Sequence, residues 1–268
     1  MKPKKDSLGD RMKTYEAASK TYLTCRTPVI IRIDGKAFHT FTKGFKKPFD
    51  DIFVKSMQET MRYLCQNIQG CVFGYTQSDE ISLVLVDYTN LESCAWFDNQ
   101  VQKIVSVAAS MATMAFSKAF DKYRNEYIDS VMLLQDGDLE SEYLQALWRA
   151  EERGAMFDAR VFNLPKEEVA NYILWRQQDA SRNSVNSVAQ AHFSHKELQG
   201  KSNSQMQDML FVEKGINWND FPTYLKRGTA CRRETFNINN GVIKMWMLDY
   251  NMPVITQNRN YVESRVII

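Results

Sequence analysis

The sequence contains no C-x-x-C pair, and its five cysteines, Cys25, Cys65, Cys71, Cys94 and Cys231, follow no paired spacing. An odd count spread over 268 residues argues against a disulfide scaffold and a structural zinc site, and fits a reducing, cytoplasmic compartment. Histidine is scarce. His39, His192 and His195 form no H-x-x-x-H pair, so zinc chemistry is not expected. A serine-hydrolase elbow, a Walker A loop, a glycine-rich dinucleotide fingerprint and the kinase motif set are all missing. No apolar run approaches the roughly 18 residues of a membrane span. The opening MKPKKDSLGDRMKTYE has no apolar stretch of the signal-peptide kind, so no membrane association is expected. An excess of one charge is lacking too. Residues 1–165 carry 21 Lys+Arg against 22 Asp+Glu, and residues 166–268 carry 13 against 10. That excludes a strongly basic nucleic-acid binder but leaves room for a local basic track in the second part.

What is present is a 44% hydrophobic chain long enough to bury a substantial core, without repeats or low-complexity tracts. Ser7 to Leu23 reads as an exposed helix. PVIIRIDGKAF (Pro28 to Phe38) reads as a strand broken at Asp34-Gly35. Helical spacing of Ile52, Phe53, Met57, Met61 and Leu64 predicts a helix from Asp51 to Gln66, with Gly70 just past its end. VFGY and ISLVLV flank a polar tip and predict a hairpin. A long helix follows from about Trp96 to Phe120. The charged segment Asp121 to Gly154 is mostly helical, and FDARVFNLP (Phe157 to Pro165) is another strand. The order strand–helix–strand–strand–helix–strand predicts an α+β, ferredoxin-like palm over residues 5–165, with a helical insertion at about 121–154 and helices on one face of an antiparallel sheet. Residues 166–268 read as a mainly helical, basic region that would contact RNA. It includes the basic loop KRGTACRR and a closing pair of strands, VIKMWML and YVESRVII.

In such a palm the end of the first strand and the tip of the central hairpin are neighbours. Asp34 and Asp79 would therefore converge, with Glu80 beside them. Converging carboxylates repel unless a cation lies between them. Hard oxygen ligands of this kind suit Mg²⁺ completed by substrate phosphates, and two such ions serve nucleotidyl transfer. The competing reading is a polar turn with one salt bridge. Lys43, Lys46, Lys47, Lys103 and Ser106 are candidates for phosphate contact, with Lys103 unusual for lying within an apolar helix. Clustered cations at Lys226, Arg227, Arg232 and Arg233, with Arg176, Arg182 and Asn183, are candidates for RNA contact; a solvated loop is the alternative.

RIDGKAFHTF, KKPFD, YTQSDEISLV, QKIVS, FDARVF, WRQQD and KRGT occur in this order. The set resembles the tRNA-histidine guanylyltransferase family of 3′-to-5′ nucleotide polymerases, from about Asp10 to the C-terminus. The resemblance implies a polymerase-type palm, two Mg²⁺ ions, ATP and GTP or other nucleoside triphosphates as substrates, tRNA as partner, and a homotetramer. It assigns Asp34, Asp79 and the Gly35 carbonyl to metal, and Glu80 to the adjacent family acid. Lys36, Ala37, Phe38 and His39 would cradle a triphosphate, with Ser78 beside the acids. Lys47 and Asp50 would lie near the activating nucleotide, and Lys103 and Ser106 at phosphates. Arg160, Arg182, Asn183, Lys226 and Arg227 would face RNA. One motif departs: where the guanylyltransferases proper carry His-Ile-Asn-Asn-Leu-Tyr-Asn, this chain reads SRNSVNS, Ser181 to Ser187. That places it nearer the guanylyltransferase-like branch, which extends 5′-truncated tRNAs by copying the opposite strand. A nucleotide cyclase or diguanylate-type synthase on the same palm is less suited, because a GG-x-E-F-like hairpin is absent. A non-catalytic RNA binder would not need both aspartates.

Overall fold

The computed structural model describes residues 7–133, 141–238 and 241–267. In chain order the elements are α1 (Leu8–Ala17), β1 (Val29–Gly35), α2 (Phe38–Phe41), α3 (Asp51–Asn67), β2 (Cys71–Gln77), β3 (Glu80–Leu85), α4 (Val101–Leu133), α5 (Ser141–Arg153) and β4 (Phe157–Asn163). The second part contributes α6 (Lys166–His192), α7 (His195–Leu198), α8 (Asn203–Lys214), α9 (Thr223–Arg227), β5 (Thr229–Ile238), β6 (Gly241–Asp249) and α10 (Asn260–Glu263). The expected palm is present. The strands run β4-β1-β3-β2-β5-β6, with every described pair antiparallel. The first four reproduce the split βαβ order: β1–α3–β2 brackets β3, and β3–α4–β4 brackets β1. The insertion is helical where described, and its residues 134–140 lie outside the described residues.

Three expectations change. Both faces of the sheet are covered, not one. Alternation along β1 sends Ile31 and Ile33 into the core with α3 and α4, while Ile30 joins Val84, Phe73 and the α6 residues Val169, Ala170 and Ile173. That is why β3 is buried along its whole length. Second, KRGTACRR is not a loop: it spans the end of α9 and the start of β5, which pairs with β2. Third, YVESRVII is not a strand. Tyr261, Val262 and Val266 lie at and just beyond the short helix α10 and pack against the Phe73 side of the core. Val262 and Val266 are four residues apart, a spacing that shares a face in a helix as well as in a strand.

Local chemistry sets the parts that carry the site. Asp50 caps α3, accepting from Phe53 N–H at 2.9 Å, and its other oxygen accepts from Lys46 N–H at 3.1 Å and Tyr143 O–H at 2.7 Å. Gly74 is required by packing: a Cβ there would stand 2.4 Å from the Cys65 sulfur. Phe38 anchors the turn after β1 in an aromatic cluster with Phe41, Phe53, Phe116 and Phe157, at centroid distances of 5.1 to 5.9 Å.

Candidate active site

The two aspartates meet where the sheet opens. Asp34 is the next-to-last residue of β1, with Glu80 opposite on β3 and Asp158 opposite on β4. The Gly35 N–H donates to the Asp79 carbonyl at 3.0 Å, which locks the hairpin tip to the end of β1. Ser78, in a left-handed conformation (φ 49°), turns the chain there and donates its hydroxyl to Asp79 Oδ1 at 3.1 Å. Burial, with the charge of Asp34 adding to it, pushes the Asp79 carboxyl above the ordinary carboxylate range. A carboxyl so placed is relieved by a bound cation.

Among the described residues no group of three or more His, Cys, Asp and Glu is gathered to cage a metal. Two carboxylates and a backbone carbonyl instead suit a hard divalent cation whose remaining positions are filled by water and phosphate. The residues present therefore fit Mg²⁺, with Asp34 and Asp79 as the holding groups.

Glu80 does something different from its neighbour. Its Oε2 accepts from Arg32 at 2.7 Å and from Arg176 of α6 at 2.8 Å, and it is buried. Burial raises its pKa, the two guanidinium groups oppose that, and Asp34 adds to it. Glu80 is thus tied inward as the junction of β1, β3 and α6. Arg176, read from the sequence as a cation for RNA, is 4% exposed and faces this carboxylate. Arg32 carries no signal of a site role in the sequence. It lies two positions before Asp34, on the same side of the strand, and only the β1–β3 register shows that it meets Glu80.

Beyond the hairpin tip lies a cavity of about 270 Å³. Lys47, Gln58, Gln77 and Ser78 line it from the palm, and Asn183, Ser184 and Ser187 from α6. Lys47 and Asn183 are exposed there. Asp50 also lines it, but its carboxylate is committed to three donors, so it shapes the Lys47 loop and does not present a free charge. On the other flank, Lys36 N–H is used by Met156 O (2.8 Å), Ala37 is left-handed (φ 55°), and its carbonyl accepts from the Thr40 and Phe41 amides of α2 at 3.0 and 3.3 Å. The Lys36 and His39 side chains are exposed.

Other expected residues do not converge. Lys103 and Ser106 lie near the start of α4, where Asn99 bonds back to the segment before β1. Phe116, thirteen residues later, is what packs on Phe38 in the turn after Asp34, so about 20 Å of helix separates Lys103 from Phe116. Lys103 is instead set over the Phe97 ring, and Ser106 donates to the Lys103 carbonyl. Lys226 is 7% exposed; its ammonium donates to Asn219 O beside the Trp218 ring, and burial lowers its pKa. Arg227 is half-buried, Arg233 is exposed, and Arg232 pairs with Glu234 and Asp249, so two of the four KRGTACRR cations, Lys226 and Arg232, are engaged within the fold. Arg160, on the edge strand β4, and Arg182 remain exposed, each with an acidic neighbour, Asp158 and Asp179.

The sheet order and the aspartate pair at its open end define a palm of the nucleotidyltransferase type. A family model described as tRNAHis guanylyltransferase (Thg1) matches residues 9–165. The chain belongs to this family of nucleotidyltransferases. Two solved structures described as a bacterial tRNA(His) guanylyltransferase-like protein, one in complex with ATP and one with GTP, are 43% and 41% identical. Both cover 98% of this chain and 100% of theirs, with TM-scores of 0.81 and 0.78. The tRNA(His) guanylyltransferase of Debaryomyces hansenii is 28% identical over 80% of this chain and 77% of its own.

Proposed function

We propose that this chain is a template-dependent 3′-to-5′ nucleotidyltransferase that restores nucleotides to the 5′ end of truncated tRNA. The observation that carries the proposal is the placement of Asp34 and Asp79 at one locked corner of the palm, next to a cavity reached by Lys47 and Asn183. The departure at Ser181–Ser187 from the motif of the guanylyltransferases proper favours repair over single-guanosine addition. The ATP and GTP complexes of the 43% and 41% identical proteins support those nucleotides as substrates here.

Asp34 and Asp79, with the Gly35 carbonyl, would hold the divalent cations. When bound, Mg²⁺ supplies charge stabilisation to the attacking and leaving oxygens. Ser78 orients Asp79. The amides of Ala37, Phe38 and His39 and the Lys36 ammonium face phosphate, and Lys47, Gln77 and Asn183 face the nucleotide in the cavity. Arg160, Arg182 and Arg227 lie toward the RNA. The chemistry has two stages. The RNA 5′ phosphate attacks ATP, releasing pyrophosphate and leaving an adenylylated end. The 3′ hydroxyl of the incoming nucleotide then attacks the RNA-side phosphorus and AMP departs; an RNA that already carries a 5′ triphosphate releases pyrophosphate instead.

The direct test supplies a tRNA lacking its first nucleotide, all four nucleoside triphosphates and Mg²⁺. Extension should follow the facing base: changing that base from C to A should switch the added nucleotide from G to U. Guanosine added only to full-length tRNA-histidine would replace this reading with the guanylyltransferase one, and extension of no RNA would end both.

A further inference from the structure

α6 passes the aspartate corner, and its two flanks differ. The cavity side carries Asn183, Ser184 and Ser187. Trp175 stands nine residues before Ser184 and twelve before Ser187, so it points about 180° from the one and about 120° from the other around the helix, with Asn183 about 80° away between the two flanks. Its surroundings place it. One turn earlier, Tyr172 packs on Phe162 of β4 at 5.7 Å and hydrogen-bonds Ser82 of β3. One residue later, Arg176 reaches Glu80, the strand neighbour of Asp34. Trp175 thus lies above the part of β1 and β4 that holds Arg32 and Arg160, on the approach to Asp34. Asp158, Arg160 and Phe162 alternate onto this same face. Phe162 is covered by α6, whereas Asp158 and Arg160 are open.

The indole is built as a platform. One of its faces carries the Arg176 guanidinium at 3.6 Å, and that guanidinium is itself held by Glu80 and Asp179. Tyr172 meets the ring edge-on at 5.9 Å. Yet the residue stays 46% exposed. A large aromatic fixed from behind and bare in front, beside an exposed arginine, is the arrangement that stacks unpaired bases next to a phosphate backbone.

We propose that Trp175 stacks the 5′-terminal nucleobase of the RNA, with Arg160 facing the adjoining backbone, while the incoming nucleotide enters from the cavity side of α6. The two reactants would then approach the aspartate pair along different flanks of one helix. This deepens the nucleotidyl-transfer reading and rests on it.

The test uses the full chain and intrinsic fluorescence, which needs no turnover. Titration of a 5′-truncated tRNA transcript should quench tryptophan emission in the wild type. Trp175→Phe should lose that quench although four tryptophans remain, and should keep RNA binding to within about threefold because phenylalanine still stacks. Trp175→Leu should raise the KM for RNA by about tenfold or more, with the KM for nucleoside triphosphate and kcat little changed. GTP or ATP alone should quench far less than RNA does. A quench in Trp175→Phe equal to wild type would overturn the proposal, as would equal quenching by nucleotide alone, or an unchanged RNA KM in a Trp175→Leu protein that melts like the wild type. Should the leucine variant melt early, the fluorescence of the phenylalanine variant decides. A wild type that binds RNA with the Trp175 quench but extends nothing would sink the function reading and leave the stacking site standing.

Discussion

Replacing Arg176 with methionine keeps the aliphatic stem of the side chain and removes one of the two cations on Glu80. The ion pair is 2.8 Å long, and its side chains are 4% and 6% exposed. Deleting one partner of a buried pair costs about 3–5 kcal/mol when the other is left alone. Here Arg32 stays on the same oxygen at 2.7 Å, so a smaller loss of about 2–3 kcal/mol is expected, with a fall in melting temperature of about 4–10 °C. The loss should depend on pH. Burial already raises the Glu80 pKa above its unfolded value, and removing a cation raises it further. A carboxyl with a raised folded pKa binds its proton more tightly in the folded state, so stability is present at low pH and lost as pH rises through the folded pKa. The deficit of Arg176→Met should therefore be larger at pH 8 than at pH 5. Urea denaturation at both values, in a double-mutant cycle with Glu80→Gln, measures it, and Glu80→Gln should remove most of the pH dependence. A deficit under about 0.5 kcal/mol, or strict additivity of the two substitutions, would refute the junction assigned to Glu80, since groups in one network couple.

Three further outcomes are expected. Asp50→Ala removes the α3 cap and the carboxylate oxygen that accepts from the Tyr143 hydroxyl and Lys46 N–H, costing about 2–3 kcal/mol by chemical denaturation, whereas Asp50→Asn costs less because its oxygen still caps. Gly74→Ala forces a methyl against the Cys65 sulfur and destabilises by about 1–3 kcal/mol, a loss that Cys65→Ala should largely relieve. Mn²⁺ affinity in the presence of nucleotide should rise with pH around a midpoint above the ordinary aspartate value of about 3.9, because the proton on Asp79 competes with the metal; calorimetry across pH 4–8 checks this, and a midpoint at the ordinary value would contradict the raised Asp79 pKa.

The palm was legible because its signals are local. Asp34-Gly35 marks the end of β1, and Gln77–Glu80 marks the hairpin tip. The helical spacing from Ile52 to Leu64 gives α3 to within a residue. From these alone the split βαβ order brings Asp34 and Asp79 together. What was hidden depends on where long side chains turn. Lys226 and Arg176 look like surface cations in a sequence string, yet one donates to the Asn219 carbonyl and the other enters the sheet to reach Glu80. Arginine and lysine stems cross apolar surface readily, so their heads cannot be located from composition. β5 was masked by its charge density, because Arg232 and Arg233 suggested a loop, although Arg232 is neutralised on a strand by Glu234 and Asp249. Lys103 depends on topology in the same way: the sequence puts it on α4, but only the fold shows that Phe116, far along that helix, is the residue packed on Phe38.

The central claim is that Asp34 and Asp79 jointly hold the divalent cations that accompany the nucleotide. The most direct measurement is Mn²⁺ binding, by calorimetry or electron paramagnetic resonance, to wild type, Asp34→Asn, Asp79→Asn and the double variant, each with a non-hydrolysable nucleotide. Either single substitution should abolish most of the nucleotide-dependent binding, and the double should be little worse than either one. Wild-type Mn²⁺ affinity in a folded Asp79→Asn protein would contradict the claim.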